Sequence, residues 1–357
     1  MLREGTVCEF QSDLAVIAHG GSVVQPWRDR FLAARSADLH AVDSALGLAD
    51  ESFSQVLVHL QKSRAATSCD LAQAWRVLRP DGQLLLAGPN TLGIASAVKR
   101  LARELDQTPI VVANRARARV VRFKKDHGVG PQTEDTPSFV AGIESIQGER
   151  FEFLVETLPG VFSAKKLDAG SQFLLDALPR FMGYKPPKRI VDLGCGTGVL
   201  GIAAATLWPE TTVLFADADA RAVECARNNI ERLGLSDRCR AVWWDAHETP
   251  PETRFDLALV NPPFHRDGAE VDLTPALALF DSLRLWLKPG SRALLVANRT
   301  LPYERPLEEI GELETLRSER GYKLFSLKRS KRSSRSRGRH SPGPRSGGKS
   351  RVPTRSR

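Results

Sequence analysis

Two stretches of the chain repeat one pattern of apolar and polar positions. Residues 53–58 (FSQVLV) and 255–260 (FDLALV) are aromatic-led apolar runs of strand length. Each is followed by a helical stretch, a Leu-x-Pro turn containing Gly, and a Leu-rich run: WRVLRPDGQLLLAGPNTLG at 75–93 and LWLKPGSRALLVANRTLPY at 285–303. Similarity on this scale predicts a duplicated α/β unit.

The second half alternates more clearly. RIVDLG, TTVLFAD, RAVWWD, FDLALV and RALLVAN read as strands, with YKLFSLK completing the sheet. GVLGIAAATLW, ARAVECARNNIERLG (closing on Gly234) and ALALFDSLRLWL read as helices between them. Strand and helix in turn predict a mostly parallel, doubly wound sheet, which binds ligands at the carboxyl ends of its strands. A polar, Gly- and Pro-rich stretch, KKDHGVGPQTEDTPS at 124–138, breaks the pattern between the halves. The expected organisation is a first domain at 1–124, a linker at 125–149, a catalytic domain at 150–328 and a tail at 329–357.

Charge sharpens that division. The 30 residues from Lys328 hold 12 Lys+Arg and no acid, so of the net +9 the rest of the chain carries −3. The tail, rich in Ser, Gly and Pro, cannot bury enough surface to offset ordering and is expected to be disordered. It can neutralise phosphates without reading sequence. In the first half, RARARVVRFKK at 115–125 alternates so that Arg115, Arg117 and Arg119 would share one strand face. That face is a candidate RNA contact, or a plain solvated one. The 357 residues suffice for two cores. No membrane-length apolar run or signal segment is evident, so a cytoplasmic protein is expected. The five cysteines show no CxxC spacing, which argues against a zinc site or a disulfide framework.

The halves differ where chemistry would sit. The second opens on VDLGCGTGVLG (191–201), running from strand into helix. Gly194, Gly196 and Gly198 admit close approach of the backbone to a ligand, and the helix N-terminus offers free N–H groups. Asp217 closes the next strand and can take both hydroxyls of a ribose. The spacing matches the dinucleotide fingerprint, and S-adenosylmethionine fits equally. Asp192 favours the latter, since an acid at the strand end repels a pyrophosphate but tolerates an ammonium and a sulfonium. Asp245 is placed to accept from an adenine amino group, or is a solvated loop acid.

After Val260 the chain reads Asn-Pro-Pro-Phe, whereas after Val58 it reads His-Leu-Gln-Lys. The amino nitrogen of a nucleobase is a poor nucleophile, because its lone pair is delocalised into the ring. Asn261 offers a side-chain carbonyl and Pro262 a backbone carbonyl, and the two prolines restrict both residues. Two such acceptors can grip both N–H groups and turn the lone pair toward a methyl donor, while Phe264 stacks on the base. The first half has neither feature, so it is expected to retain the fold as an RNA-binding or scaffolding copy.

LVNPPFH, VDLGCGTGVLG, TLPGVFSAKKLDAGSQFLL (157–175) and VANRTLPY (296–303) together resemble the ribosomal RNA small-subunit methyltransferase C family and its large-subunit guanine-N2 sister family. The resemblance covers about 150–328 and implies two tandem Rossmann-like class I methyltransferase domains, the first degenerate. It implies methyl transfer from S-adenosylmethionine to N2 of a guanine in ribosomal RNA, 16S ahead of 23S. Gly194, Gly196 and Asp217 would hold the cofactor, and Asn261, Pro262 and Phe264 the base. One departure stands out: the family's His-Asp-Gly becomes His-Arg-Asp-Gly, placing Arg266 in a loop that faces the substrate. The expected partner is ribosomal RNA or a subunit, with no metal or membrane, and the protein is expected to be a monomer. Two further readings share these features: a methyltransferase for another amine (adenine N6 or protein glutamine), and a non-catalytic RNA-binding assembly factor.

Overall fold

The computed structural model describes residues 7–126, 129–133, 136–182, 185–263, 265–267 and 270–331; at 265–267, 270 and 271 it describes backbone only. The first half runs β1 (Val7–Phe10), α1 (Leu14–His19), β2 (Ser22–Val24), α2 (Arg28–Ser36), β3 (His40–Val42), β4 (Phe53–His59), α3 (Arg64–Val77), β5 (Leu78–Pro89), α4 (Ile94–Glu104), β6 (Ile110–Arg115) and β7 (Ala118–Lys124). After a hairpin of β8 (Ser138–Glu144) and β9 (Arg150–Glu156) come α5 (Ala169–Leu175), α6 (Leu178–Met182), β10 (Arg189–Leu193), α7 (Val199–Leu207), β11 (Thr212–Asp217), α8 (Ala220–Arg232), β12 (Cys239–Trp243) and β13 (Phe255–Val260). The chain then forms β14 (His265–Asp267), β15 (Glu270–Asp272), α9 (Thr274–Trp286), β16 (Leu287–Asn298), α10 (Glu304–Glu308), β17 (Gly311–Glu319) and β18 (Tyr322–Arg329).

Both halves build a seven-stranded sheet of one topology: β3-β2-β1-β4-β5-β7-β6 and β12-β11-β10-β13-β16-β18-β17. The first five strands of each are parallel, and the last two form an antiparallel hairpin. These are the two tandem Rossmann-like domains. The near-continuous apolar runs follow from burial on both faces. In the second sheet Ile190, Leu257 and Leu259 face α5 and α7, while Val191, Leu193, Ala258 and Val260 face α9. Strand order reverses between β10 and β13, and again between β1 and β4, the point where such a sheet opens a crevice.

Two expectations need correction. Arg115, Arg117 and Arg119 do not share a strand face: β6 ends at Arg115, Ala116 and Arg117 form the turn with φ of 51° and 58°, and β7 starts at Ala118. The alternation hid the turn because neither Gly nor Asn marks it. The stretch expected to be linker, 125–149, contains β8, whose Ala141 and Ile143 are buried in the second domain's core against Phe153 and Val155. β17 had no expected counterpart, for its sequence GELETLRSE is mostly polar and its two leucines, Leu313 and Leu316, do not alternate. The basic tail lies outside the described residues from 332 onward. Among the described residues no helix is long and apolar enough to cross a membrane, and no cluster of potential metal ligands occurs.

Candidate active site

The loop joining β10 to α7 is built from left-handed backbone. Gly194, Gly196 and Gly198 have φ of 69°, 54° and 83°, a region that penalises every residue with a Cβ. Gly194 and Cys195 donate their N–H groups to Ala216 O of β11, at 2.8 and 3.2 Å, which closes the loop over the sheet edge. Gly201 serves packing: a Cβ there would lie 2.3 Å from the ring of Phe215.

Acids brace this loop from two sides. Asp192 is buried, and its Oδ2 accepts the Gly201 N–H at 2.8 Å, tying the strand end to the first turn of α7. Burial pushes its carboxyl up to about 8 against that hydrogen bond. Asp192 therefore lies beneath the loop as a brace. Asp217 lies at the loop's level: Oδ2 accepts the Gly196 N–H at 2.8 Å and Oδ1 the Asp219 N–H at 2.9 Å. Burial raises it to about 6, with the backbone donors opposing. Asp245 accepts from the His247 backbone and ring, and its own N–H donates to Glu248 Oε1 at 3.1 Å.

Asn261 follows β13 directly. Because Leu193 pairs with Val260, it stands beside Gly194 at the switch point. Its Nδ2 donates to Asp168 Oδ2 at 3.0 Å and to Ser171 Oγ at 2.9 Å. A carboxylate only accepts, so the amide can face Asp168 solely with its NH2, and Oδ1 must point the other way. Asp168 is itself fixed as the N-cap of α5, accepting the Ser171 N–H at 2.9 Å. Gly170 gives the clamp room: a Cβ there would lie 3.0 Å from Asp168 Oδ2, and at ordinary contact distance, 3.6 Å, from Asn261 Oδ1. Asn261 and Pro262 line a narrow cleft together with Asp168, Asn298, Tyr303 and Tyr322. The buried Tyr303 hydroxyl has no partner among the described residues, and burial pushes it up to about 12, so it stays a neutral donor.

The first domain reaches into this region. Trp27 and Asp219 form an antiparallel bridge, with Arg28 N donating to Ala218 O at 2.9 Å and Ala220 N to Pro26 O at 2.8 Å. Arg28 grips Glu248 with two bonds, at 2.8 and 2.9 Å, and packs over Trp243. Trp243 and Trp244 are packing residues: Trp243 meets Phe31 of the first domain, and Trp244 meets Trp286 edge-on.

The structure thus brings together Gly194, Gly196, Gly198, Asp217, Asn261 and Pro262. Phe264 lies outside the described residues, as does the side chain of Arg266, whose backbone belongs to β14. Arg115, Arg117 and Arg119 are in the other domain. Asp168, Ser171 and Gly170 were not singled out from sequence, although an N-cap Asp three residues before Ser, opening an apolar run, is a readable helix start. The contacts of Arg28 and Arg221 carry no local signal.

Residues 152–326 match the family model described as methyltransferase small domain, and 14–119 match its N-terminal counterpart. The chain is 30% identical over 279 residues to the ribosomal RNA small subunit methyltransferase C of Shewanella halifaxensis, covering 78% of each chain. It is 35% identical over 236 residues to that of Salmonella newport, covering 65% and 63%. Among solved structures, a 16S rRNA N2 methyltransferase (RsmC) of T. thermophilus, in complex with AdoMet and guanosine, superposes with a TM-score of 0.79 at 26% identity, over 92% of this chain and 89% of that one. The glycine loop, the locked amide beside it, the doubled sheet and these matches agree: the chain belongs to the ribosomal RNA small subunit methyltransferase C family.

Proposed function

We propose that the protein transfers a methyl group from S-adenosylmethionine to the exocyclic N2 of a guanine in 16S ribosomal RNA, acting on the RNA or the small subunit, as a monomer in the cytoplasm. The observation that carries this reading is the Asn261 amide at the switch point, one strand from the glycine loop, its NH2 clamped by Asp168 and Ser171 and its oxygen without a hydrogen-bond partner among the described residues. The residues present fit the cofactor. Three glycines hold a left-handed backbone that a residue with a Cβ adopts only at a cost, and Asp217 offers a carboxylate where the loop meets β11.

Gly194, Gly196 and Gly198 would line the cofactor, Asp217 would accept from its ribose hydroxyls, and Asp245 from its adenine amino group. Asp192 contributes by holding the first turn of α7. Bound there, S-adenosylmethionine supplies an electrophilic methyl group on a sulfonium. Asn261 Oδ1 and the Pro262 carbonyl accept the two N–H bonds of the guanine amine, which turns its lone pair out of the ring plane. Asp168 and Ser171 fix the amide before substrate arrives, so no reorganisation is needed at the moment of reaction. Phe264 would stack on the base, and Arg266 would meet a neighbouring phosphate. A helical target must be flipped out, at a few kcal/mol.

The first domain, at 1–124, would hold RNA through Arg115, Arg117 and Arg119, and the tail at 329–357 would add phosphate contacts. We place the boundary before β8, so the second domain begins near residue 138 rather than 150. Incubation with methyl-labelled cofactor and small subunits, followed by mass-spectrometric mapping, should place the label on guanine N2 of 16S rRNA. Label on adenine or in a protein band would move the assignment to another amine with the same grip. No transfer despite cofactor binding would favour an assembly factor.

A further inference from the structure

In a sheet of this topology the ligand site lies at the carboxyl ends of the central strands. In the first domain that place receives a side chain from the second. Arg221, in the first turn of α8, donates from Nη1 to Gln61 Oε1 at 3.1 Å. Gln61 Nε2 donates to Asp70 Oδ2 at 2.5 Å, and Gln11 Nε2 to the same oxygen at 3.2 Å. Gln11 directly follows β1 and Gln61 comes two residues after β4, so both lie at the first sheet's switch point, the place that Gly194 and Asn261 hold in the second.

The other edge of the guanidinium faces the catalytic domain. Nε and Nη2 hold the Asp219 carboxylate at 2.9 and 2.8 Å. Asp219 N–H holds Asp217 Oδ1, and Asp217 Oδ2 holds the Gly196 N–H. An unbroken series of bonds therefore runs from Asp70, in the first domain, to the glycine loop of the second. Gly160, with φ of 95°, closes over the junction: a Cβ there would lie 2.7 Å from Arg221 Nη1 and 3.1 Å from Ala66 Cβ of α3.

We propose that the vacated ligand site of the first domain has become a receptor for Arg221, and that through Arg221 and Asp219 it sets the position of Asp217 and hence the affinity for the cofactor. This rests on reading Asp217 as the ribose carboxylate. Gln61 and Arg221 are positioning residues here, since neither touches the glycine loop.

Calorimetric titration of the full chain with S-adenosylhomocysteine tests the proposal. Arg221→Met and Gln61→Ala should each raise Kd about 5- to 20-fold, the scale of stripping a partner from a buried charged group. The double variant should be no weaker than the worse single, because both cut one path. KM for S-adenosylmethionine should rise in step while kcat at saturation stays within about two-fold, a split that plain loss of stability does not give. Arg221→Lys, which keeps charge without the fork, should fall between. Should Arg221→Met fail to fold, Gln61→Ala decides alone. A Kd within two-fold of wild type in the folded single variants, or effects that simply multiply in the double, would overturn the proposal. A wild-type chain that binds no S-adenosylhomocysteine would overturn the cofactor reading along with it.

Discussion

Glu9 and Asp192 occupy the same position in two sheets. Each is the third residue from its strand's register start beside β4 or β13, and each accepts N–H groups from the helix that follows. The residues after the partner strands' Val58 and Val260 are His59 and Asn261. In the first domain the longer Glu9 side chain accepts from Ala15 and Val16 at 2.7 and 3.2 Å and meets His59 Nε2 at 2.8 Å. In the second, Asp192 stops short and Asn261 turns instead to Asp168 and Ser171. One methylene and one imidazole thus join across the switch point what the catalytic copy keeps apart. A fold of this kind outlives its chemistry when each group left at the ligand site finds a partner within the protein.

The sharpest way to break this comparison is to truncate the two equivalent residues. Asn261→Ala should lower kcat by about 10²–10³-fold, the scale of removing one preorganised polar contact to the reacting group, while cofactor Kd by calorimetry stays within about two-fold. His59→Ala should leave kcat within about two-fold and reduce unfolding stability by about 1–3 kcal/mol, since buried Glu9 loses a partner. Full activity in Asn261→Ala would remove the distinction between the domains.

Next in size is the clamp behind Asn261. Asp168→Ala removes both the α5 cap and the acceptor that orients the amide, and should cost about 10- to 100-fold in kcat, as misplacement of a reacting group does. Asp168→Asn can present its carbonyl at the Oδ2 position, where both Asn261 Nδ2 and the Ser171 N–H need an acceptor, and should retain most of the rate. Equal losses in both variants would show that negative charge, not orientation, is what Asp168 supplies.

Acid separates the domains differently. Burial raises Asp217 to about 6, so lowering pH through 6 protonates it and removes the acceptor proposed for the ribose; cofactor affinity should fall about ten-fold by pH 5, with the slope absent in Asp217→Asn. Glu9 is shifted the other way. Burial pushes it up, but the His59 contact and the two backbone N–H groups outweigh that and hold it below its ordinary value. A depressed acid gives stability that is full above its unfolded pKa and is lost as pH falls through the folded one. Between pH 7 and 5 the first domain should keep its melting temperature contribution from Glu9 while the second loses its ligand. A cofactor Kd flat from pH 7 to 5 would refute the role given to Asp217.

The parts of this site that were legible are those where local chemistry leaves few choices. Three left-handed glycines between a strand and a helix are almost a statement of backbone geometry, and two prolines after Asn261 restrict it before any tertiary contact forms. The duplication was legible because buried parallel strands demand long apolar runs. What stayed hidden depends on distant pairing. Asp168 lies 93 residues from Asn261, and Gln61 lies 160 from Arg221. β17 is an edge strand whose polar sequence has no period-2 apolar face, so register with β18 alone places it. The turn at 116–117 was missed because its residues are ones a turn of that hand normally rejects.

That turn yields the smallest effect, with two opposite signs. Each domain ends its sheet in a hairpin. In the second domain the turn is Arg320-Gly321, φ 53° and 84°, and Arg299 N donates to Gly321 O at 2.8 Å. In the first it is Ala116-Arg117, φ 51° and 58°, and Asn90 N donates to Arg117 O at 2.7 Å. The backbone is the same, yet where the catalytic copy places Gly the other holds an arginine in a left-handed conformation, at a cost of about 1 kcal/mol. Strain kept at an exposed cation calls for a gain elsewhere, and the tip proposed to meet RNA provides one. Arg117→Gly should therefore stabilise the protein by about 0.5–1 kcal/mol in denaturant titration, while weakening RNA binding about two- to five-fold and reducing the slope of log K against log salt by about 0.7–0.9. A more stable variant with unchanged affinity and salt slope would show that this tip makes no phosphate contact, and the first domain's hold on RNA would then have to lie on another face.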